Sequence, residues 1–464
     1  MGKAIQDFNL CYAMMRPLVC FGTICHYTSF TVRGKKNLPK KVGYIIAPCH
    51  QQALMEPLAV LATVDKAPVF LARADIFAKP TIRKILTTLR IMPVYRIRDG
   101  KESLSKNTEI FEKSRNVVLD GYPFCMMAEG RHNNRHQLLP LVKGMFRIAG
   151  ETQKQLGETP LYIVPMGIDY DEYERTYANV CINYGEPIPI QPFMDTFNEN
   201  EPVALNQMRD TLTTHLHKQM FDIRSQKYYD EFYTLCNILN RSVRKKHGLR
   251  NTPWNRFVTR QRIANALDDK EQNQDSTLDH IIDQTHQYQQ ACKRIGIPEK
   301  LEAGHWHFAL LLLSTTAILG IVAALVLVAP FRWGALFCLA CYPIPFIPTN
   351  RIAKACIKDT QFRSSVNFGI RLGLSIIYVL AFSIAMCCTQ GAFWGTVLPG
   401  IGGFWWGLAA FVIPFALAYI TGLGVSWLRG TAQNWYFFWK KLFNAHAYHE
   451  IKSIRTDLEK TVEI

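Results

Sequence analysis

Val42-Gly43-Tyr44-Ile45-Ile46-Ala47-Pro48-Cys49-His50-Gln51-Gln52-Ala53-Leu54-Met55-Glu56-Pro57 is the stretch on which the reading of this chain turns. Its first part, Val42–Ala47, is an apolar run of strand length. The run stops at Pro48, and a histidine follows at once. Strand ends are where α/β domains present reactive groups. Glu56 is the only acidic residue between His50 and Asp65. A histidine with a carboxylate close behind it is the minimum equipment for taking a proton from a hydroxyl.

Further short apolar runs at Pro68–Leu71, Ile91–Tyr95, Phe124–Ala128 and Leu161–Ile168 have strand length, and helical stretches such as Leu104–Leu119 lie between several of them. Repeated strand-helix-strand order predicts an α/β domain with a largely parallel central sheet. Residues 8–31 are apolar but interrupted, which suits an interfacial helix resting on a membrane. Residues 201–300 are rich in Gln, Asn, Arg and Asp, with helical periodicity at Phe232, Leu235, Leu239 and Val243. They read as a helical extension with a solvated, partly mobile segment near 268–277.

The 464 residues leave room for two or three domains. Nearly all the long apolar runs fall in residues 306–428. Phe308–Ala329 is 22 residues without a charge, enough to cross a bilayer core that needs about 20. Trp333–Pro348, Gly373–Cys388 and Trp394–Trp427 complete an expected set of four segments. Arg351, Lys354, Lys358, Arg363 and Arg371 lie between the second and third, opposed only by Asp359. By the positive-inside rule that loop is cytoplasmic, which puts the catalytic domain on the same side.

Lys and Arg total 53 against 37 acidic residues, a net charge of +16. Such an excess suits an anionic partner, a lipid surface or a phosphorylated substrate. No aromatic-basic motif for nucleic acid appears, so no nucleic-acid partner is expected. The 13 cysteines are scattered, and only Cys338 and Cys341 have Cys-x-x-Cys spacing, inside an apolar run. They read as packing residues of a chain in a reducing compartment. The apolar stretch from Cys11 is broken by Arg16 with no small-residue cleavage site after it, so no signal peptide is expected.

Glu129-Gly130-Arg131 starts 79 residues after His50 and again follows an apolar run. A carboxylate, a glycine and an arginine in a polar loop suit the holding of a phosphate. Arg90–Arg98 ends an apolar strand in Arg96 and Arg98, whose guanidinium forks match phosphate oxygens. Val164-Pro165-Met166-Gly167 has a fixed proline and a small glycine that could wall an acyl chain, or be plain core strand. His132 and His136 have the spacing of metal ligands on a helix, but Asn133 and Asn134 between them argue against a helix. Cys49 as an acyl-accepting nucleophile is disfavoured, because neighbouring strand residues point to opposite faces.

Taken in order, His50…Glu56, Ile91–Arg96, Glu129–Gly130–Arg131 and Val164–Pro165 resemble the four blocks of the glycerolipid acyltransferase family. That family includes lysophosphatidate and glycerol-3-phosphate acyltransferases. Leu139-x-x-x-Lys143-Gly144 continues the likeness, which covers roughly residues 35–190. The resemblance implies His50 as general base and Glu56 as its orienting carboxylate. It implies Arg96 and Arg131 as phosphate ligands, with Glu129 and Gly130 shaping that site. Two departures stand out. The usual first block has four residues between His and Asp, whereas here five intervene and Glu replaces Asp, as in a subset of the family. Met127-Ala128 stands where Phe-Pro is usual.

The expected architecture is an α/β acyltransferase domain with a largely parallel central sheet, a helical extension, and an all-α transmembrane C-terminal region. Its boundaries are 1–34 for interfacial helices, 35–200 for the acyltransferase domain, 201–304 for the extension, 305–430 for about four transmembrane segments and 431–464 for a cytoplasmic tail. The expected activity moves a fatty acyl group from acyl-CoA or acyl-ACP to a hydroxyl of lysophosphatidate. Glycerol 3-phosphate is the alternative acceptor, favoured by the five-residue spacing. No bound cofactor or metal is expected. The partners are the acyl thioester donor, with acyl carrier protein as one carrier, the phosphorylated glycerol acceptor and membrane lipids. A metal-dependent phosphoesterase using His50, Glu56, His132 and His136, and a non-catalytic lipid-binding relative, are the competing readings.

Overall fold

The computed structural model describes residues 4–95, 101–131, 133, 135–173, 177–300, 308–327, 352–388 and 403–462. Two units divide the chain, Met1–Arg224 and Ser225–Ile464. The first holds the sheet. Its strands are β1 (Ser29–Arg33), β2 (Tyr44–Pro48), β3 (Val69–Arg73), β4 (Ile91–Val94), β5 (Pro123–Cys125), β6 (Tyr162–Tyr170), β7 (Asn179–Tyr184) and β8 (Ile188–Pro189). Their order is β1-β7-β6-β2-β5-β3-β4, with β8 paired to β6. The pairs β2–β5, β2–β6, β3–β4, β3–β5 and β1–β7 are parallel, and β7 and β8 run antiparallel to β6. The sheet is therefore largely parallel, as the alternation of apolar runs predicts.

Helices α1 (Leu10–Cys25), α2 (Met55–Thr63), α3 (Pro80–Thr88), α4 (Lys101–Leu119), α5 (Gly144–Leu156), α6 (Met194–Glu199) and α7 (Glu201–Gln219) accompany the strands. Covered on both faces, β2 is buried at all five residues. Such a strand shows a continuous apolar run and not an alternation. Ile45, Phe124, Phe146, Ile163 and Leu212 share one core with Val117 of α4. The apolar stretch 8–31 is not one element. Helix α1 ends at Cys25, and the chain then enters the sheet as β1, parallel to β7.

Pro165 sits in the middle of β6, where a missing N–H is normally disfavoured. Here β8 pairs with Tyr162 and Ile163, and β7 takes over only at Met166. Pro165 falls at that switch, and its carbonyl accepts the Gly185 N–H at 2.9 Å. Gly167 lies under the end of α7, where a Cβ would overlap the Gln219 carbonyl. Val164, Pro165, Met166 and Gly167 are all buried. The Val-Pro block is thus core strand and not an open wall for a chain.

The regular elements among the described residues of the second unit are all helices. Tyr229–Ile238, Asn240–Lys246, Pro253–Gln272 and Leu278–Ile295 pack together, and Ala445–Thr461 lies along the last of these. The segment 268–277 is not an open loop. The helix runs to Gln272, and Asp275 then accepts the Lys270 Nζ at 2.6 Å and the Thr277 N–H at 2.8 Å. Phe308–Leu327 packs on Gly403–Phe443 through Ser314–Thr431 (2.7 Å) and Trp435–Thr315 (2.8 Å).

Among the described residues no helix is long and apolar enough to cross a membrane. The expected four-segment transmembrane region is therefore not supported. Gly373–Cys388 is the end of a longer helix, Thr360–Cys388, that includes Arg363 and Arg371. Trp394–Trp427 is cut in the same way, because the helix Gly403–Phe443 runs on through Arg429, Lys440 and Lys441. Trp333–Pro348 and residues 394–402 lie outside the described residues.

Candidate active site

The site grows from the C-terminal end of β2. Past Pro48 the ladder continues for one residue, with Cys49 N–H donating to the Met166 carbonyl at 3.0 Å. The Cys49 thiol accepts the Ile168 N–H at 3.2 Å and is fully buried. Burial, and secondarily the carboxylates of Glu129, Glu56 and Asp169, push this thiol well above its usual range. Only a thiolate attacks well, so Cys49 ties β2 to β6 and is no nucleophile.

His50 leaves the sheet and Glu56 enters the first turn of α2. Their side chains meet, with Nδ1 of His50 3.2 Å from Oε2 of Glu56. The other oxygen, Oε1, accepts the backbone N–H of Gln52 at 2.7 Å and of Gln51 at 3.3 Å, and the Tyr170 hydroxyl at 3.3 Å. Glu56 is wholly buried, and the Gln51 and Gln52 amides and the Tyr170 hydroxyl all donate to its carboxyl group. Nδ1 of His50 is therefore read as a donor too, which places the lone pair of a neutral ring on Nε2. The His50 side chain is 13% exposed, so the ring reaches the surface of the site.

The loop between His50 and Glu56 turns sharply at one residue. Ala53 adopts φ 42°, the left-handed region that non-glycine residues rarely enter. Across this turn the Glu56 side chain reaches both the loop amides and the imidazole.

Glu129 supports His50 from below. Its Oε1 accepts the His50 N–H at 2.6 Å, and its Oε2 accepts the Leu139 N–H at 3.0 Å. Burial pushes its carboxyl up to about 8; the two N–H bonds oppose this, and Glu56 and Asp222 add to it. Glu129 is thus a clamp between two loops. Gly130 takes φ +64°, and a Cβ there would crowd Val142 at 3.1 Å. Arg131, exposed on this turn, has no ion-pair partner among the described residues. Arg96 lies outside the described residues, as do Arg98 and His132.

Sequence reasoning missed a second polar group beside the first. Tyr173 hydroxyl donates to Gln51 Oε1 at 2.9 Å and bonds Nδ1 of His136 at 3.0 Å, while Gln52 Nε2 donates to the Tyr173 carbonyl at 2.8 Å. His136 is buried, stacked on Tyr173 and tilted against Phe221, with Asp169 at 3.7 Å. The one available signal was position: Asp169 and Tyr170 end β6, beside the end of β2. Residues 133, 135 and 136 are not helical. Among the described residues no group of three His, Cys, Asp or Glu side chains is placed to hold a metal ion.

The family model described as Acyltransferase matches residues 29–169, from the first residue of β1 to the penultimate residue of β6. A solved structure similar to this chain is the 1-acyl-sn-glycerophosphate (LPA) acyltransferase PlsC from Thermotoga maritima. It is 19% identical, with a TM-score of 0.31, over 43% of this chain and 78% of that one. No curated protein matches the chain. The matched segment, residues 29–169, holds β1 to β5, most of β6 and the His50–Glu56 pair at the end of β2.

Proposed function

We propose that this chain is a glycerolipid O-acyltransferase in which His50 is the general base and Glu56 orients it. The observation that carries this is the 3.2 Å contact of His50 Nδ1 with a buried, donor-surrounded Glu56. An acceptor hydroxyl gives its proton to Nε2 as its oxygen attacks the carbonyl carbon of an acyl thioester. The C–S bond breaks, and the thiolate takes the proton back from the imidazolium, giving an ester and a free thiol. Glu56 stabilises the transient imidazolium, and the Glu129 clamp fixes the backbone that carries it. The intact pair also argues against a non-catalytic relative, because the altered first block keeps its geometry.

Arg131, exposed beside the Glu129–Gly130 turn, and Arg96 are the proposed phosphate ligands. A phosphorylated glycerol is therefore the acceptor class, with lysophosphatidate preferred and glycerol 3-phosphate as the alternative. Acyl-CoA or acyl-ACP is the donor. We place the enzyme at a membrane with its catalytic domain facing the cytoplasm. Exposed Phe8, Leu10 and Met14 at the start of α1 support a lipid-facing surface, as do the apolar runs of residues 306–428.

The test is acyl transfer from labelled acyl-CoA and acyl-ACP by the full-length protein, with lysophosphatidate and glycerol 3-phosphate offered in parallel. His50→Ala should abolish transfer without unfolding the protein. Transfer that persists in that variant removes His50 from the mechanism.

A further inference from the structure

Tyr173 stands three residues past the end of β6 and so far has no part in the proton transfer assigned to His50. It holds the loop after His50 with two different groups. Its hydroxyl donates to Gln51 Oε1 at 2.9 Å, and its carbonyl accepts Gln52 Nε2 at 2.8 Å. The backbone amides of those two glutamines donate to Glu56 Oε1, at 3.3 and 2.7 Å. The same stretch of chain reaches that oxygen directly, through the Tyr170 hydroxyl at 3.3 Å. The segment leaving β6 therefore meets Glu56 once at its carboxylate and again through its loop.

The loop needs such a hold. Leu54, at the cap of α2, supplies no side-chain cap. Ala53 keeps φ 42°, a conformation that lasts only where its surroundings over-determine it. Tyr173 is itself fixed, because its ring stacks on that of buried His136 with centroids 4.8 Å apart. Its hydroxyl lies 3.0 Å from His136 Nδ1. A hydroxyl has one proton to give. Given to Gln51, it leaves the oxygen to accept from Nδ1–H of His136, so a directed chain runs from His136 through Tyr173 to Gln51. Gln51 and Gln52 are buried, and a buried polar chain of this kind selects one arrangement of the groups it joins.

We propose that Tyr173 is a positioning residue for acyl transfer: it holds the Gln51–Gln52 loop, and through the loop amides it keeps Glu56 against Nδ1 of His50. The role rests on the parts proposed for His50 and Glu56. It passes through Glu56 and not through the substrates. Loss of the Tyr173 hydroxyl should therefore lower the rate of the bound complex and leave substrate binding as it was.

The experiment measures kcat and KM of the full-length protein with acyl-CoA, offering lysophosphatidate and glycerol 3-phosphate in parallel, for wild type, Tyr173→Phe and His50→Ala. Tyr173→Phe keeps the ring and the carbonyl bond to Gln52. Its kcat should fall about tenfold, the loss of a single hydrogen bond, with both KM values within about twofold. Gln51→Met removes the same bond from the loop side and should reproduce that fall, with no further loss when the two are combined. In a Glu56→Gln background Tyr173→Phe should change kcat less than about twofold, because the route it acts through is already broken. A merely structural tyrosine would lower kcat by the same factor in both backgrounds, and that result overturns the role. Amide hydrogen exchange at Gln51, read without substrate, should be faster in Tyr173→Phe than in wild type. Unchanged exchange and unchanged kcat in Tyr173→Phe, with His50→Ala inactive, remove Tyr173 alone. Absence of transfer in wild type, or its persistence in His50→Ala, overturns the acyl-transfer reading and this role with it.

Discussion

Replacing Glu56 by Gln keeps the volume of the side chain and removes its capacity to accept on both sides. The remaining carbonyl oxygen would stay with the Gln51 and Gln52 amides, which hold Oε1 at 3.3 and 2.7 Å. The new NH2 group would then face Nδ1 of His50. Two donors cannot share that contact, so the imidazole must move its proton to Nε2 and accept at Nδ1. That tautomer has no lone pair for the acceptor hydroxyl. The wrong-tautomer effect in a hydrolase triad is about 10⁴-fold. Here the Nδ1–Oε2 distance of 3.2 Å exceeds the roughly 2.7–2.9 Å of a strong charge-assisted bond. A loss of about 10³-fold in kcat is therefore expected, about 4 kcal/mol of transition-state stabilisation. The assay is thiol release from acyl-CoA under saturating acceptor, with Glu56→Asp alongside. The shorter carboxylate should keep the loop amides and lose the imidazole, giving an intermediate rate. A Glu56→Gln enzyme within tenfold of wild type in kcat would refute the reasoning, and Glu56 would then be a loop cap alone.

Two further outcomes follow from the same region. Glu129 sits at about 8 in the fold against its ordinary 4.5. The folded state therefore holds a proton that the unfolded chain has released, and its stabilisation, complete below about pH 4.5, is lost as pH rises through 8. At about 1.4 kcal/mol per unit this amounts to several kcal/mol. Urea denaturation across that window should show stability falling for wild type relative to Glu129→Gln, and parallel curves would contradict the assignment. Gly167→Ala would drive a methyl group into the Gln219 carbonyl, and should lose about 3 kcal/mol or more in the same measurement. A loss below about 1 kcal/mol would show that α7 can shift away from β6.

What the sequence disclosed and what it hid divide along chain distance. His50 and Glu56 are six residues apart, so a strand end, a short loop and a helix start were enough to bring them together. The strands buried on both faces, β2 and β6 above all, announce themselves as apolar runs. Strand β1 did not, because Ser29–Val32 is half-exposed and continues the apolar stretch of α1. Strand β7, Asn179–Tyr184, mixes two asparagines with its apolar residues and pairs antiparallel to β6 in an otherwise parallel order. The Tyr173 contacts with Gln51 and His136 span 122 and 37 residues. Only the register of β6 beside β2 creates them, and no local pattern encodes it.

Glu56 serves two masters within one carboxyl group. One oxygen closes the loop onto the start of α2 and the other meets the imidazole. Any fluctuation that frays the first turn of α2 also releases the ring, so the dyad survives only as long as this corner stays closed. Amide exchange at Gln51 and Gln52 would thus count the openings of the reactive centre directly, without substrate. On the roles proposed for His50 and Glu56, heat or denaturant that loosens this one helical turn should abolish acyl transfer while the sheet is still whole.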